Sequence, residues 1–95
     1  MSAAGSWRVY ILKCADGTLY CGVTTDLVRR VREHNGASGE HGKNAGAKYT
    51  RTRRPVKLVH SETFRSRATA QAREYALKKL PRAKKLALIR TGKVR

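Results

Sequence analysis

The chain has 95 residues, with 22 Lys and Arg against 6 Asp and Glu, giving a formal charge of +16. That length allows one domain around one modest core and excludes a second. The charge repels itself in the compact state and calls for a polyanionic partner; a nucleic acid, which releases condensed counterions to each bound Lys or Arg, is the first candidate. Against a membrane partner stand the absence of a long apolar run, of a lipidation signal and of a basic amphipathic helix opposed by large apolar residues.

In chain order, residues 1–6 are small and polar, without the basic-then-apolar plan of a signal peptide, so the cytoplasm is the expected location. Trp7–Lys13 is rich in aromatic and β-branched residues and is predicted as a strand; Asp16-Gly17 signals a hairpin turn, and Leu19–Thr24 is the return strand. Thr25 and Asp26 are N-cap candidates for a short helix over 26–35, with Leu27, Val31 and His34 at i, i+4, i+7 and Gly36 as the stop. Residues 36–54 carry four glycines among basic and polar residues and are expected to form a flexible basic loop. After Pro55, residues 56–63 alternate and supply a third strand. Ser66 caps a helix running to about residue 80, and Pro81 opens another that ends before Gly92. The expected fold is α/β of the α+β kind: a three-stranded antiparallel sheet flanked by three helices, order β-β-α-β-α-α, in a core of about 7–91. A monomer is expected.

The hairpin register decides which side chains share a face. A two-residue turn would put Tyr10 and Tyr20 on opposite faces. A three-residue loop, Ala15-Asp16-Gly17 with Gly17 left-handed, pairs Tyr10 with Gly22 and Tyr20 with Leu12, so the tyrosines share a face. It also gathers Val9, Ile11, Leu19, Cys21 and Val23 opposite them, and this register is preferred. Cys14 and Cys21 then fall on opposite faces. They are read as reduced packing residues, too few for a disulfide scaffold and without zinc-site spacing.

On the first helix, Leu27, Val28 and Val31 are expected to form the buried stripe, with Arg30 and His34 side by side at its edge and Arg29 pointing away. An arginine held there suits a phosphate, unless it extends into solvent. On the second long helix Ala70, Glu74 and Leu77 fall at i, i+4, i+7, so Glu74 sits on or beside the inward face. A carboxylate there is either paired with a base or binds a metal ion. In the loop, Lys48, Arg51, Arg53 and Arg54 are candidates for backbone phosphates and Tyr49 for stacking on an unpaired base; the alternative is a solvated loop ordered only on binding.

Arg8-Val9-Tyr10, Tyr20-Cys21-Gly22-Val23-Thr24, Asp26-Leu27, Arg29-Arg30, His34-Asn35, Gly46-Ala47-Lys48-Tyr49-Thr50, Arg54-Pro55 and Ala72-Arg73-Glu74 together resemble the GIY-YIG nuclease family over about residues 7–90. The likeness is to its small stand-alone bacterial members, and to the nuclease domain of structure-specific endonucleases that cut branched DNA. Arg8 replaces the first glycine of the signature, and the asparagine that some members carry beyond the glutamate helix has no counterpart.

The resemblance implies that Tyr10 and Tyr20 are the paired signature tyrosines, that Arg30 is the arginine ten residues after the second, and that Glu74 is the metal-binding glutamate. His34 matches a position that some members use. The implied activity is endonucleolytic hydrolysis of phosphodiesters, in DNA more than in RNA and in repair or recombination, with Mg²⁺ or Mn²⁺ on Glu74. Six scattered acids do not suit a carboxylate-rich two-metal clamp. A non-catalytic nucleic-acid-binding module with the same fold is the competing reading, and a basic component of a larger ribonucleoprotein is the third.

Overall fold

A computed structural model describes residues 6–35 and 53–91; Lys48, Tyr49, Arg51 and most of the expected loop lie outside them. The elements are β1 (Trp7–Lys13), β2 (Leu19–Thr24), α1 (Leu27–His34), β3 (Lys57–Phe64), α2 (Arg67–Lys79) and α3 (Arg82–Thr91), in the expected β-β-α-β-α-α order. The strands form one antiparallel sheet in the order β2-β1-β3.

The hairpin closes through the three-residue loop. Cys14 N donates to Thr18 O at 2.8 Å and Gly17 N to Cys14 O at 2.9 Å, while Gly17 takes φ +86°, a left-handed conformation that favours glycine. The Asp16 carboxylate accepts from Thr18 N at 3.0 Å and from its hydroxyl at 2.6 Å, which fixes the turn. Tyr10 therefore faces Gly22 and Leu12 faces Tyr20, as the apolar pattern requires.

The sheet sorts its residues into two layers. Val9, Ile11 and Cys21, with Trp7, Leu19, Val23, Val59 and Phe64, pack beneath Ala70 and Leu77 of α2 and Leu88 and Ile89 of α3. Tyr10, Leu12 and Cys14, with Tyr20 and Leu58, pack against Val56 and against Leu27 and Val31 of α1. Removing each such aliphatic side chain from water contributes about 1.5–3 kcal/mol. Cys14 and Cys21 are both free, buried and in opposite layers.

Asp26 is the N-cap of α1, its carboxylate accepting from Arg29 N at 3.1 Å. The stripe differs from expectation at Val28, which is 72% exposed, whereas His34 is not at an edge but fully buried. The helix rolls so that His34 is fully buried and Leu27 and Val31 are half-buried, and the hydrogen-bond partner that the His34 ring finds beneath it lowers the desolvation penalty that would otherwise keep an imidazole outside. Ser66 caps α2 by accepting from Thr69 N at 3.2 Å, and the extended conformation of Leu80 before Pro81 separates α2 from α3.

The segment entering β3 is fastened at several points. Asn35 exchanges two hydrogen bonds with the Val56 backbone, Arg54 Nε donates to His34 O at 2.6 Å, and Ala15 N donates to Arg53 O at 2.9 Å. Two residues expected to contact phosphates thus also have structural partners. Arg54 holds the end of α1, and Arg53 Nε lies 3.1 Å from Asp16 Oδ2 at the hairpin turn.

Candidate active site

The register gives the site its floor. Tyr10 lies under Gly22, the one residue type that leaves room: a Cβ added at Gly22 would come within 2.5 Å of Tyr10 Cζ and closer still to its hydroxyl. Beneath α1, Tyr10 Oη lies 2.9 Å from His34 Nε2. The His34 ring stands edge-on to both signature tyrosines, with centroids 5.9 Å from Tyr10 and 5.2 Å from Tyr20. Tyr20 itself is partly open to solvent.

Arg30 joins from one turn earlier on α1. Its guanidinium charge acts on the Tyr10 hydroxyl, and its Nη1 donates to Glu33 Oε1 at 3.0 Å. Burial alone would weaken the charge on Arg30; its interactions with Glu33 and Tyr10 outweigh that and hold it cationic. Glu33, only 7% exposed, also faces Arg29 Nε at 3.6 Å. Sequence reasoning passed over Glu33, although its i+3 spacing from Arg30 was visible.

Burial pushes the Tyr10 phenol up to about 12, with Arg30 opposing the rise, and pushes His34 down to about 4, with the Arg30 charge adding to the effect. At neutral pH Tyr10 is therefore a phenol and His34 a neutral imidazole. Tyr10 Oη and His34 Nε2 share one hydrogen bond, with the Arg30 charge beside the phenol.

This burial predicts an acid-labile fold. Between pH 6.5 and 4 the unfolded chain binds a proton at His34 that the folded chain refuses, so stability falls as pH falls through that window. The loss is on the order of 3 kcal/mol. Thermal melts across the window, with His34→Gln as the non-titrating comparison, check it; equal slopes for the two proteins would contradict a buried neutral His34.

Glu74 approaches from the other layer. It sits on α2, which packs across β1 and β2, its side chain 23% exposed. Burial raises both the Tyr10 phenol and the Cys21 thiol, and the Glu74 charge adds a smaller push in the same direction to each. Its Oε2 lies 3.2 Å from the exposed Lys78 Nζ, the salt bridge that helix spacing allowed. Such i, i+4 surface pairs contribute only about 0.3–0.5 kcal/mol.

Tyr10, Tyr20, Arg30 and His34 thus converge on one face, with the Glu74 carboxylate in electrostatic reach of Tyr10. Among the described residues no group of three or more His, Cys, Asp or Glu could cage a metal ion. A lone half-buried carboxylate fits Mg²⁺ nonetheless, since that ion keeps several waters and takes one or two carboxylates plus substrate oxygens. A second cluster was not anticipated: Glu62 accepts from Arg73 Nε at 2.8 Å and Nη2 at 3.1 Å, with His60 Nε2 at 2.8 Å. Burial alone would raise the Glu62 carboxyl, but the hydrogen bonds from Arg73 and His60 outweigh it and hold the group below its ordinary value.

A small α+β domain that brings two tyrosines, an arginine and a histidine together on one face of its sheet, with a carboxylate on the helix of the other layer, has the makings of a nuclease-type catalytic domain. The chain belongs to the GIY-YIG family, whose catalytic-domain sequence model matches residues 6–87. Its relatives include the UPF0213 protein DP2720 of Desulfotalea psychrophila, 49% identical over 92% of this chain and 74% of that protein. Another is the UPF0213 protein NP_0776A of Natronomonas pharaonis, 54% identical over 90% and 93%. The solution structure of the UPF0213 protein BH0048 from Bacillus halodurans is 42% identical and superposes with a TM-score of 0.54, covering 90% of this chain and 83% of that one. Among the described residues no helix is long and apolar enough to cross a membrane.

Proposed function

We propose that this protein is a metal-dependent endonuclease that hydrolyses phosphodiester bonds in nucleic acid, DNA rather than RNA, with branched repair or recombination intermediates as its substrates. The observation that carries this reading is the meeting of Tyr10, Arg30, His34 and Tyr20, held by a 2.9 Å hydrogen bond and edge-on rings, in a chain of charge +16. Glu74 would hold Mg²⁺ or Mn²⁺ in place of Lys78, and the ion would supply Lewis-acid stabilisation of phosphoryl oxygens.

Arg30, fixed by Glu33 and Tyr10, has five N–H donors in a planar fork and presents charge to a phosphoryl oxygen without reorganising. Tyr20 is the more open of the two phenols and orients the attacking water. Tyr10, protonated in the free protein, and His34, fully buried, support Arg30 and Tyr20 from below. A small domain has little surface for base readout, so strand shape selects the substrate.

A panel of single-stranded, duplex, flap and junction DNA plus RNA, with Mg²⁺ and with Mn²⁺, tests this reading. Metal-dependent products strongest on branched DNA are expected. Gel shifts with no products under either metal would favour the binding-only module, in which Glu74 keeps its Lys78 partner.

A further inference from the structure

The packing face of α2 is narrow: its fully buried residues are Ala70 and Leu77 alone, two side chains on one line that leave few contacts at its flanks to stop the helix from turning about its axis. Yet two neighbours on it point in different directions. Arg73 extends to β3, where its fork clasps both oxygens of Glu62 at 2.8 and 3.1 Å. The helix also packs on β1 and β2, and Glu74, about 100° further round it, is turned away from the Arg73 contact, its charge adding to the effect of burial on Cys21 of β2 and Tyr10 of β1.

Glu62 is itself held. A bulge between the Ile11–His60 and Leu12–Leu58 pairs makes Val59 the extra residue, and His60 joins Glu62 on the α2 side with its Nε2 2.8 Å from Glu62 Oε2. A bidentate pair is directional where so narrow an apolar contact is not. We propose that Arg73 and Glu62 are positioning residues: their ion pair sets the rotation of α2 and thereby aims Glu74 at the tyrosines. The proposal rests on the reading in which Glu74 acts at the site.

The test uses the full chain carrying Arg73→Met, which keeps the aliphatic stem, and Arg73→Lys, which keeps the charge but loses the fork. NOE contacts between α2 and β2 report the rotation without any enzyme assay. In Arg73→Met these contacts are expected to redistribute, while kcat falls about tenfold or more because a catalytic group has moved. KM, and nucleic-acid affinity measured without metal, should stay within about twofold, since such surface contacts are distributed over many cations. Arg73→Lys should fall between Arg73→Met and wild type in both readouts.

A folded Arg73→Met with wild-type NOE contacts overturns the lock, whatever the cleavage assay gives. Should Arg73→Met not fold, wild-type NOE contacts in Arg73→Lys overturn it equally. Wild-type protein that cuts nothing would remove the nuclease reading alone, and the NOE contacts would still decide whether Arg73 sets the helix.

Discussion

Arg30→Ala and Glu74→Ala are each expected to reduce metal-dependent nicking by about 10²–10³-fold, the loss that follows removal of one fixed electrostatic group from a charge-developing transition state. Binding should change little. Arg30 is one of 22 Lys and Arg, and affinity for a polyanion is spread over many phosphate contacts. The two variants fail for different reasons. Arg30→Ala also leaves buried Glu33 without its 3.0 Å partner, so it should lower the melting temperature, whereas Glu74→Ala gives up only an exposed pair with Lys78. Nicking assays, gel shifts and melts on the same preparations separate these effects. Equal nicking by wild type and both variants would mark a contaminating enzyme.

The largest structural effect is expected from Gly22→Ala. One methyl group would enter the space occupied by the Tyr10 ring and hydroxyl, between two strands whose register leaves no other room. Overpacking of this kind costs about 1–3 kcal/mol and more where backbone must move. For a domain of this size each kcal/mol lowers the melting temperature by about 4–8 °C. Nicking should fall as well, because displacing Tyr10 breaks its bond to His34 and shifts it from beside the Arg30 charge. Tyr10→Leu should relieve much of the stability loss in the double variant while restoring no activity, a coupling that a double-mutant cycle measures. Additive losses would show that the two residues do not compete for one space.

The hairpin was legible because two loop lengths made opposite statements about five apolar residues, and only one gave a clean inner face. The fastening of the site was less so. Val28 and Val31 look alike as residue types, and which of them is buried depends on how α1 rolls to bring His34 onto Tyr10, a contact across 24 residues. The structural bond of Arg54 was not legible, because nothing local announces that the His34 carbonyl will be within 2.6 Å. Glu62 and Arg73 stand on separate elements and meet only after the sheet and helix have docked. Short-range patterns carry elements and faces; pairings across layers come from packing, which spacing along the chain does not encode.

The Ala15-Asp16-Gly17 loop makes the core and the candidate site matters of parity. Side chains on a strand alternate, so a slip of β2 by one residue against β1 would exchange odd and even positions, sending Tyr20 to the greasy underside and Cys21 to the opposite face. A slip of two residues would preserve the alternation. The hydrophobic interior thus enforces for the tyrosine pair a register that catalysis alone would not have to impose.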